Sequence, residues 1–266
     1  MIDAIENGRP RAGVGTNSSA QTRLLLVGGS SEIGVAIARR LASDGPVRPY
    51  LMGRDLPRLE QAAATLERAG CTEIELDLVD ASAFGAHEQV IARAFERSGG
   101  FDVVVLAVGV LGAQEGLDAD PEKAIEVMQV NFVGCGSLLL QCLRRLRDQG
   151  RGTLVVLSSV AAERPRAGNA TYGAAKTGLD SLAQGLADAT ASRGVRVLVV
   201  RPGFVKTRMT VGLPSAPFAT TPEKVADATA RALQGRAHTI WVPSALRYIF
   251  AVLRHVPRPL YRRLPL

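Results

Sequence analysis

Cysteine and histidine are scarce in this 266-residue chain, three of each. Cys71, Cys135 and Cys142 are odd in number and lack the paired spacing of zinc or redox motifs. Reduced, buried thiols are therefore expected, without a disulfide framework. His87, His238 and His255 stand too far apart to suggest a metal site. Aromatic residues make up only 5% of the chain, and no binding motif or aromatic platform accompanies its basic charge, which argues against a nucleic-acid partner. A membrane span is also not indicated near the C-terminus, where the uncharged run Tyr248 to Leu253 falls far short of the ~20 residues needed. Residues 1–21, rich in Gly, Asn and Ser with acids at Asp3 and Glu6, lack the apolar core of a signal peptide and read as a mobile arm. Lysine is rare, four against 28 arginines, so the position of each lysine carries more weight.

What is present is enough apolar matter, 47% of residues, to bury a full α/β core without disulfides or metal. Residues 22–243 show no linker or break in composition and read as one domain, followed by a basic apolar tail at 244–266. Strand-like runs lie at Leu24–Val27, Arg48–Met52, Glu73–Leu76, Phe101–Val108, Gly152–Ser158, Val195–Arg201 and His238–Val242, with helix-length segments between them. Asp102-Val-Val-Val-Leu-Ala-Val108 and Val195-Arg-Val-Leu-Val-Val200 are almost continuously apolar, as strands covered on both faces are. This alternation predicts a single-domain, Rossmann-like, doubly wound parallel sheet with helices on both faces. The first strand runs into Gly28-Gly-Ser-Ser-Glu-Ile-Gly34 and then into the helical segment Val35–Leu41. A glycine loop in this place lets backbone approach a pyrophosphate and aims helix N–H groups at its charge.

Tyr172 and Lys176 stand four apart in a helical segment expected from Thr171 to Arg193, so phenol and ammonium project from one face. A free tyrosine titrates near ~10, and a neighbouring cation favours the phenolate, which suits such a pair to protonate a carbonyl oxygen. Ser159 follows the strand-like run Gly152–Ser158 and is placed to hold that oxygen by a hydrogen bond. Asn131 is expected to anchor a water that returns the proton through Lys176. Asn131, Ser159, Tyr172 and Lys176 are thus candidate catalytic residues for carbonyl reduction.

Gly28, Ile33, Gly34, Asp77, Gly109, Asn131, Ser159, Tyr172, Lys176, Pro202-Gly203 and Thr207 together resemble the short-chain dehydrogenase/reductase pattern, over almost the whole chain from about Thr22. The resemblance implies about seven strands, a nicotinamide cofactor and a homodimer or homotetramer. It also implies that Asp77 meets the adenine ring, Gly109 lies under the adenosine, Lys176 bonds the nicotinamide ribose and Thr207 faces the carboxamide or phosphates. Ser30, Ser31, Leu78, Val205 and Tyr172 join the expected cofactor contacts. Two stretches depart from the pattern. Val27 and Glu32 replace a threonine and a central glycine in the first turn, and Leu106-Ala-Val-Gly109 replaces the usual Asn-Asn-Ala-Gly. Glu32 is expected to cap helix amides close to where phosphates lie.

These departures, with Ser158-Ser-Val-Ala-Ala-Glu-Arg164, Arg201-Pro-Gly-Phe-Val-Lys-Thr-Arg-Met209 and the segment Leu246–Leu266, resemble the decaprenylphosphoryl-2-keto-pentose reductases. That resemblance implies reduction of the 2-keto group of a polyprenylphosphoryl pentose to the arabinose epimer, after a flavin oxidase partner has made the ketone for actinobacterial cell-wall arabinan. A soluble ketone reductase of secondary metabolism is the alternative. Cofactor choice is divided. Gly53 and Arg54 stand where an acid would bond the adenosine 2′-hydroxyl, which favours NADPH, whereas the resemblance favours NADH. Asp55 is expected to cap the next helix.

No acid follows Asp227, while Arg231, Arg236, Arg247, Arg254, Arg258, Arg262 and Arg263 do, so the whole net charge of +7 resides in residues 228–266. Such a tail suits an anionic bilayer surface or a lipid phosphate, and it suits equally a strap across the substrate cleft or a partner subunit. The expected location is the cytoplasm, with a peripheral seat on the inner membrane face left open. The loop Phe204–Thr221 is expected to build the substrate pocket, with Met209, Leu213 and Phe218 as apolar lining or lid.

Overall fold

The computed structural model describes residues 21–112, 114–190, 194–214 and 216–263, so the arm expected at 1–21 lies, apart from Gln21, outside the described residues. Seven strands, β1 (Thr22–Val27), β2 (Val47–Gly53), β3 (Glu75–Leu78), β4 (Val103–Leu106), β5 (Gly152–Leu157), β6 (Val195–Pro202) and β7 (Thr239–Val242), form one sheet. Their order is β3-β2-β1-β4-β5-β6-β7, and every neighbouring pair is parallel. The helices are α1 (Glu32–Ala42), α2 (Leu56–Glu67), α3 (His87–Ser98), α4 (Pro121–Met128), α5 (Cys135–Gln149), α6 (Ala170–Thr190), α7 (Pro222–Gln234), α8 (Leu246–Leu253) and α9 (Arg258–Tyr261). Strand order reverses between β1 and β4, which opens a crevice at their carboxyl ends.

The continuous apolar runs exist because each strand feeds two cores. Leu25 and Val27 of β1 point into a core with Val104, Leu106, Leu154, Val156 and residues of α3, α5 and α6. Leu24 and Leu26 point the other way, into a core with Val103, Val105, Val155, Leu198 and residues of α1, α2 and α7. The period-two pleat, with apolar residues at both parities, produces this result. Phe101, just before β4, is fully buried and meets Tyr50 and Phe95 edge-on at centroid distances of 6.0 and 4.9 Å.

Between α4 and α5 the helix widens into a π-helical stretch, Gln129–Gly134. A Cβ at Gly134 would lie 2.1 Å from the Ala81 carbonyl oxygen, so no side chain fits there. The whole run Pro121–Gln149 is long and apolar enough to pass as a membrane span by length and composition. Half of its most apolar window is buried in the protein, so core packing of residues such as Leu138, Leu139 and Cys142 explains its character.

Asp55 caps α2 as expected, accepting from the Arg58 N–H at 3.1 Å. The three cysteines are free and buried. Burial pushes the Cys142 thiol up to about 12 and that of Cys135 to about 11, the latter against the opposing pull of Lys176, so both stay protonated at neutral pH.

Two packing features generate predictions. Phe101→Ala is expected to cost about 3–5 kcal/mol, read from urea unfolding, because it empties an aromatic site that neighbours fill edge-on. Asp102 joins β1 to β5, accepting from the Arg23 backbone N–H at 2.9 Å and from Arg151 at 2.6 Å. Burial opposes its charge, but the N–H of Arg23 and the guanidinium of Arg151 outweigh burial and hold the carboxyl below its ordinary value. A depressed carboxyl stabilises the fold above the unfolded value of ~4 and loses that contribution as pH falls through the folded one. The stability gap between wild type and Asp102→Asn should therefore be open at pH 7 and close on acidification below about pH 4.

Candidate active site

The start of α6 carries Tyr172 and Lys176 and packs on the turn that follows β5 and Ser159, with Thr177 donating to the Ala162 carbonyl at 2.8 Å. Ser159 precedes a short 3₁₀ turn, Val160–Ala162, and its Oγ accepts from the Ala161 N–H at 3.1 Å. Tyr172 and Lys176 lie one helical turn apart on α6, with Lys176 Nζ 5.9 Å from the Tyr172 ring centroid. Tyr172 is half-buried and Lys176 only 4% exposed. The ammonium donates to the Leu157 carbonyl at 3.0 Å, which ties it to the exit of β5.

Asn131 sits fully buried in the π-helical stretch. Its side-chain amide clasps the backbone of Val110, accepting from the N–H at 3.0 Å and donating to the carbonyl at 2.8 Å. The side chain therefore holds the loop after β4 instead of standing free for a water. Gly109 lies in the angle between Asn131 and Lys176: a Cβ there would be 3.0 Å from Asn131 Oδ1 and 3.6 Å from Lys176 Nζ.

On the nucleotide side, α1 begins at Glu32 and Ser31 caps it, Oγ accepting from the Gly34 N–H at 3.3 Å. The N–H groups of Glu32 and Ile33 find no acceptor among the described residues, as first-turn amides do, and such amides attract anions. The glycines also serve internal packing. Gly28 takes a φ of +92°, and a Cβ there would lie 2.7 Å from the Ala107 carbonyl carbon. Gly29 presses on Leu59 and Leu51, and Gly34 on Leu26. Ser30 and Ser31 complete the turn.

Glu32 does not cap α1. Its carboxylate accepts from the Arg208 backbone N–H at 2.7 Å and from Arg208 Nε at 3.4 Å, while Arg208 Nη2 donates to the Ser30 carbonyl at 3.0 Å. A cation from the loop after β6 was the better partner, because it satisfies the carboxylate and a carbonyl of the glycine loop at once.

At the other end of the crevice, the Asp77 carboxylate is already engaged. It accepts from Arg93 Nε at 3.0 Å and Nη2 at 2.9 Å, from the Tyr50 hydroxyl at 3.1 Å and from the Leu78 N–H at 2.9 Å. Burial, then the charge of Asp77, pushes the Tyr50 phenol above its ordinary value. Asp77 thus fastens β3 to α3 and β2, and it leaves Leu78, half exposed, at the rim. Arg54 is exposed just past β2, with no ion pair among the described residues.

Pro202 ends β6 opposite Val242, and the Gly203 N–H donates to the Val242 carbonyl at 2.9 Å. Val205 is buried and bridges to Thr220, and the Thr207 N–H donates to Thr210 Oγ1 at 3.0 Å. The loop walls a cavity of ≈ 470 Å³ lined by Phe204, Lys206, Thr207, Arg208, Thr210, Val211, Leu213 and, from the glycine loop, Glu32. Of the three apolar residues expected around a substrate, Leu213 lines this cavity. Met209 and Phe218 are exposed outside this lining. The tail packs on its own chain: Leu246 is buried, and a Cβ at Gly203 would strike its Cδ1 at 2.6 Å. Tyr248, Val252 and Leu260 stay exposed, as do His255, Arg258, Arg262 and Arg263. Among the described residues no His, Cys, Asp or Glu cluster suits a metal.

A family model described as short chain dehydrogenase matches residues 22–217. An uncharacterized oxidoreductase of Mycobacterium tuberculosis is 43% identical over 242 residues, covering 91% of this chain and 96% of that protein. An alcohol dehydrogenase from the archaeon Thermococcus sibiricus, solved with 5-hydroxy-NADP, superposes with a TM-score of 0.73 at 26% identity, covering 84% of this chain and 96% of its own. A variant of actinorhodin polyketide ketoreductase, solved with NADPH, superposes with a TM-score of 0.75 at 25% identity, covering 85% and 97%. With its sheet order, its crevice and a family match over most of its length, this chain belongs to the short-chain dehydrogenase/reductase family of oxidoreductases.

Proposed function

We propose that the protein is an NAD(P)H-dependent ketoreductase whose ketone is carried by a polyprenylphosphoryl pentose. The observation that carries the reductase reading is that Lys176, one turn from Tyr172, is bonded to the exit of β5, two residues before Ser159, with Gly109 and Asn131 beside it. The crevice fits a nicotinamide dinucleotide: the open N–H groups of Glu32 and Ile33 suit its pyrophosphate, and Arg54 suits a 2′-phosphate, which favours NADPH. When bound, the reduced cofactor supplies hydride to the carbonyl carbon. Tyr172 gives its hydroxyl proton to the carbonyl oxygen, and the Lys176 cation stabilises the phenolate left behind. Ser159 donates a hydrogen bond to the same oxygen as its charge develops. Asn131 secures the Val110 backbone, and a proton relay at this position rests on its main-chain atoms.

The lipid-linked substrate is supported by the tail. Its apolar residues Tyr248, Val252 and Leu260 face outward among arginines, and Leu246 anchors it on Gly203 at the edge of the substrate loop. That surface suits contact with an anionic bilayer on the cytoplasmic side, where a flavin oxidase would supply the ketone. Exposed Ile125, Met128, Phe132, Val133 and Leu140 on the α4–α5 run favour a homodimer formed across that face.

Purified protein with NADH or NADPH and decaprenylphosphoryl-2-keto-pentose, generated in place by a flavin oxidase, is expected to yield the arabinose epimer. Tyr172→Phe should lower turnover by about 10²–10⁴-fold while cofactor binding persists. Tight cofactor binding without turnover would reject this substrate. Deleting Leu246–Leu266 should impair turnover of the lipid substrate more than NADPH affinity; equal loss of both would make the tail a folding element.

A further inference from the structure

The segment after Ser159 is tied to α8 and α9 by charges that no step above uses. The Glu163 side chain is only 5% exposed, and three donors meet it: Arg201 Nη1 at 3.3 Å, Arg254 Nη2 at 3.7 Å and the indole N–H of Trp241 on β7. Its neighbour Arg164 donates to the carbonyls of Leu253 and Arg254 at 2.8 and 2.9 Å, and its guanidinium lies 4.1 Å over the Tyr261 ring of α9. Those carbonyls are among the ones a helix end leaves unpaired, so Arg164 caps α8 from another part of the chain.

The flank before Ser159 enters the same group. The Ser158 hydroxyl donates to Asp180 Oδ2 at 2.5 Å, and Arg201 grips Asp180 with Nε at 2.9 Å and Nη2 at 2.7 Å. Arg201 therefore bonds to both sides of Ser159, through Asp180 and Ser158 before it and through Glu163 after it. Burial works against the Arg201 charge, but Asp180 and then Glu163 overcome it and raise its affinity for the proton. Buried ion pairs are poor sources of net stability, because desolvation consumes most of their attraction. What a satisfied buried network provides is a single geometry. The Ser159 hydroxyl bonds only within its own turn among the described residues, so its direction is inherited from these flanks.

We propose that Glu163 and Arg164 are positioning residues that couple the seating of α8 and α9 to the orientation of Ser159, so that a ketone is held productively only while the tail is docked. The kinetic consequence rests on the ketoreductase reading; the coupling itself does not. The test uses the full chain with Glu163→Gln, Arg164→Met and Arg164→Lys. Two readouts are followed: hydrogen exchange of peptides spanning 158–164 and 246–261, and NADPH-driven reduction of 2,3-butanedione as the probe ketone. In Arg164→Met, exchange should rise in both peptides together. Its kcat should fall about tenfold through misplacement of a group remote from the change, with KM for NADPH held within about twofold. Arg164→Lys, which keeps the charge and reach to one carbonyl, should recover part of both effects, and Glu163→Gln should repeat the pattern. A rise in exchange confined to 246–261 with kcat unchanged would overturn the proposal, as would no change in either peptide. Should Glu163→Gln fail to fold, Arg164→Met and Arg164→Lys, at a half-buried position, decide. A wild type that reduces neither 2,3-butanedione nor the lipid-linked keto-pentose would defeat the ketoreductase reading alone, and joint or separate exchange would still decide the coupling.

Discussion

The site depends on one close approach, that of the turn after β1 to the exit of β4. Gly28, at a φ of +92°, leaves no room for a Cβ against the Ala107 carbonyl, and the Ala107 N–H donates to the Val27 carbonyl at 2.7 Å. Because these two backbones touch, the first-turn amides of α1 and the loop carrying Gly109 open into the same crevice. Gly109 in turn packs against Asn131 and Lys176. A side chain at position 28 would push the anion-attracting end of α1 away from Lys176, so the glycine loop and the candidate proton-transfer pair would no longer share a cleft.

Charge then organises the loops around that crevice. Glu32 and Arg208 join the glycine loop to the loop after β6 at a half-exposed pair, 37% and 58% accessible. Such pairs are worth little in stability, about 0–1 kcal/mol, and separate readily. The Arg201 group is the opposite case. Asp180 and Glu163 are nearly sealed, at 4% and 5%, and breaking such a group strands a buried charge. These two parts of the molecule therefore differ in stiffness: a separable latch by the glycine loop, and a rigid frame behind Ser159.

Much of this was legible before any coordinates. The seven strand-like runs each became a strand, because period-two alternation with apolar residues at both parities has few other solutions. Tyr172 and Lys176 met because four residues on a helix are one turn. Asp55 capped α2 from its place before Leu56-Pro57. The roles of Glu32 and Asp77 were less legible. Both are acids whose partners, Arg208 and Arg93, arrive from other elements, and nothing local selects one arginine among 28.

By itself, then, the sequence determined what short-range periodicity encodes: strand and helix order, the doubly wound class, and the spacing of Tyr172 and Lys176. Only the tertiary structure decided which charges pair, that the glycines serve close packing, that Asn131 clasps Val110, and that the basic tail lies on the segment after Ser159. The physical reason is range. Dihedral preference and helix or strand period act over a few residues, whereas an ion pair such as Glu163 with Arg254 or Arg201 depends on where a whole sheet brings distant segments together.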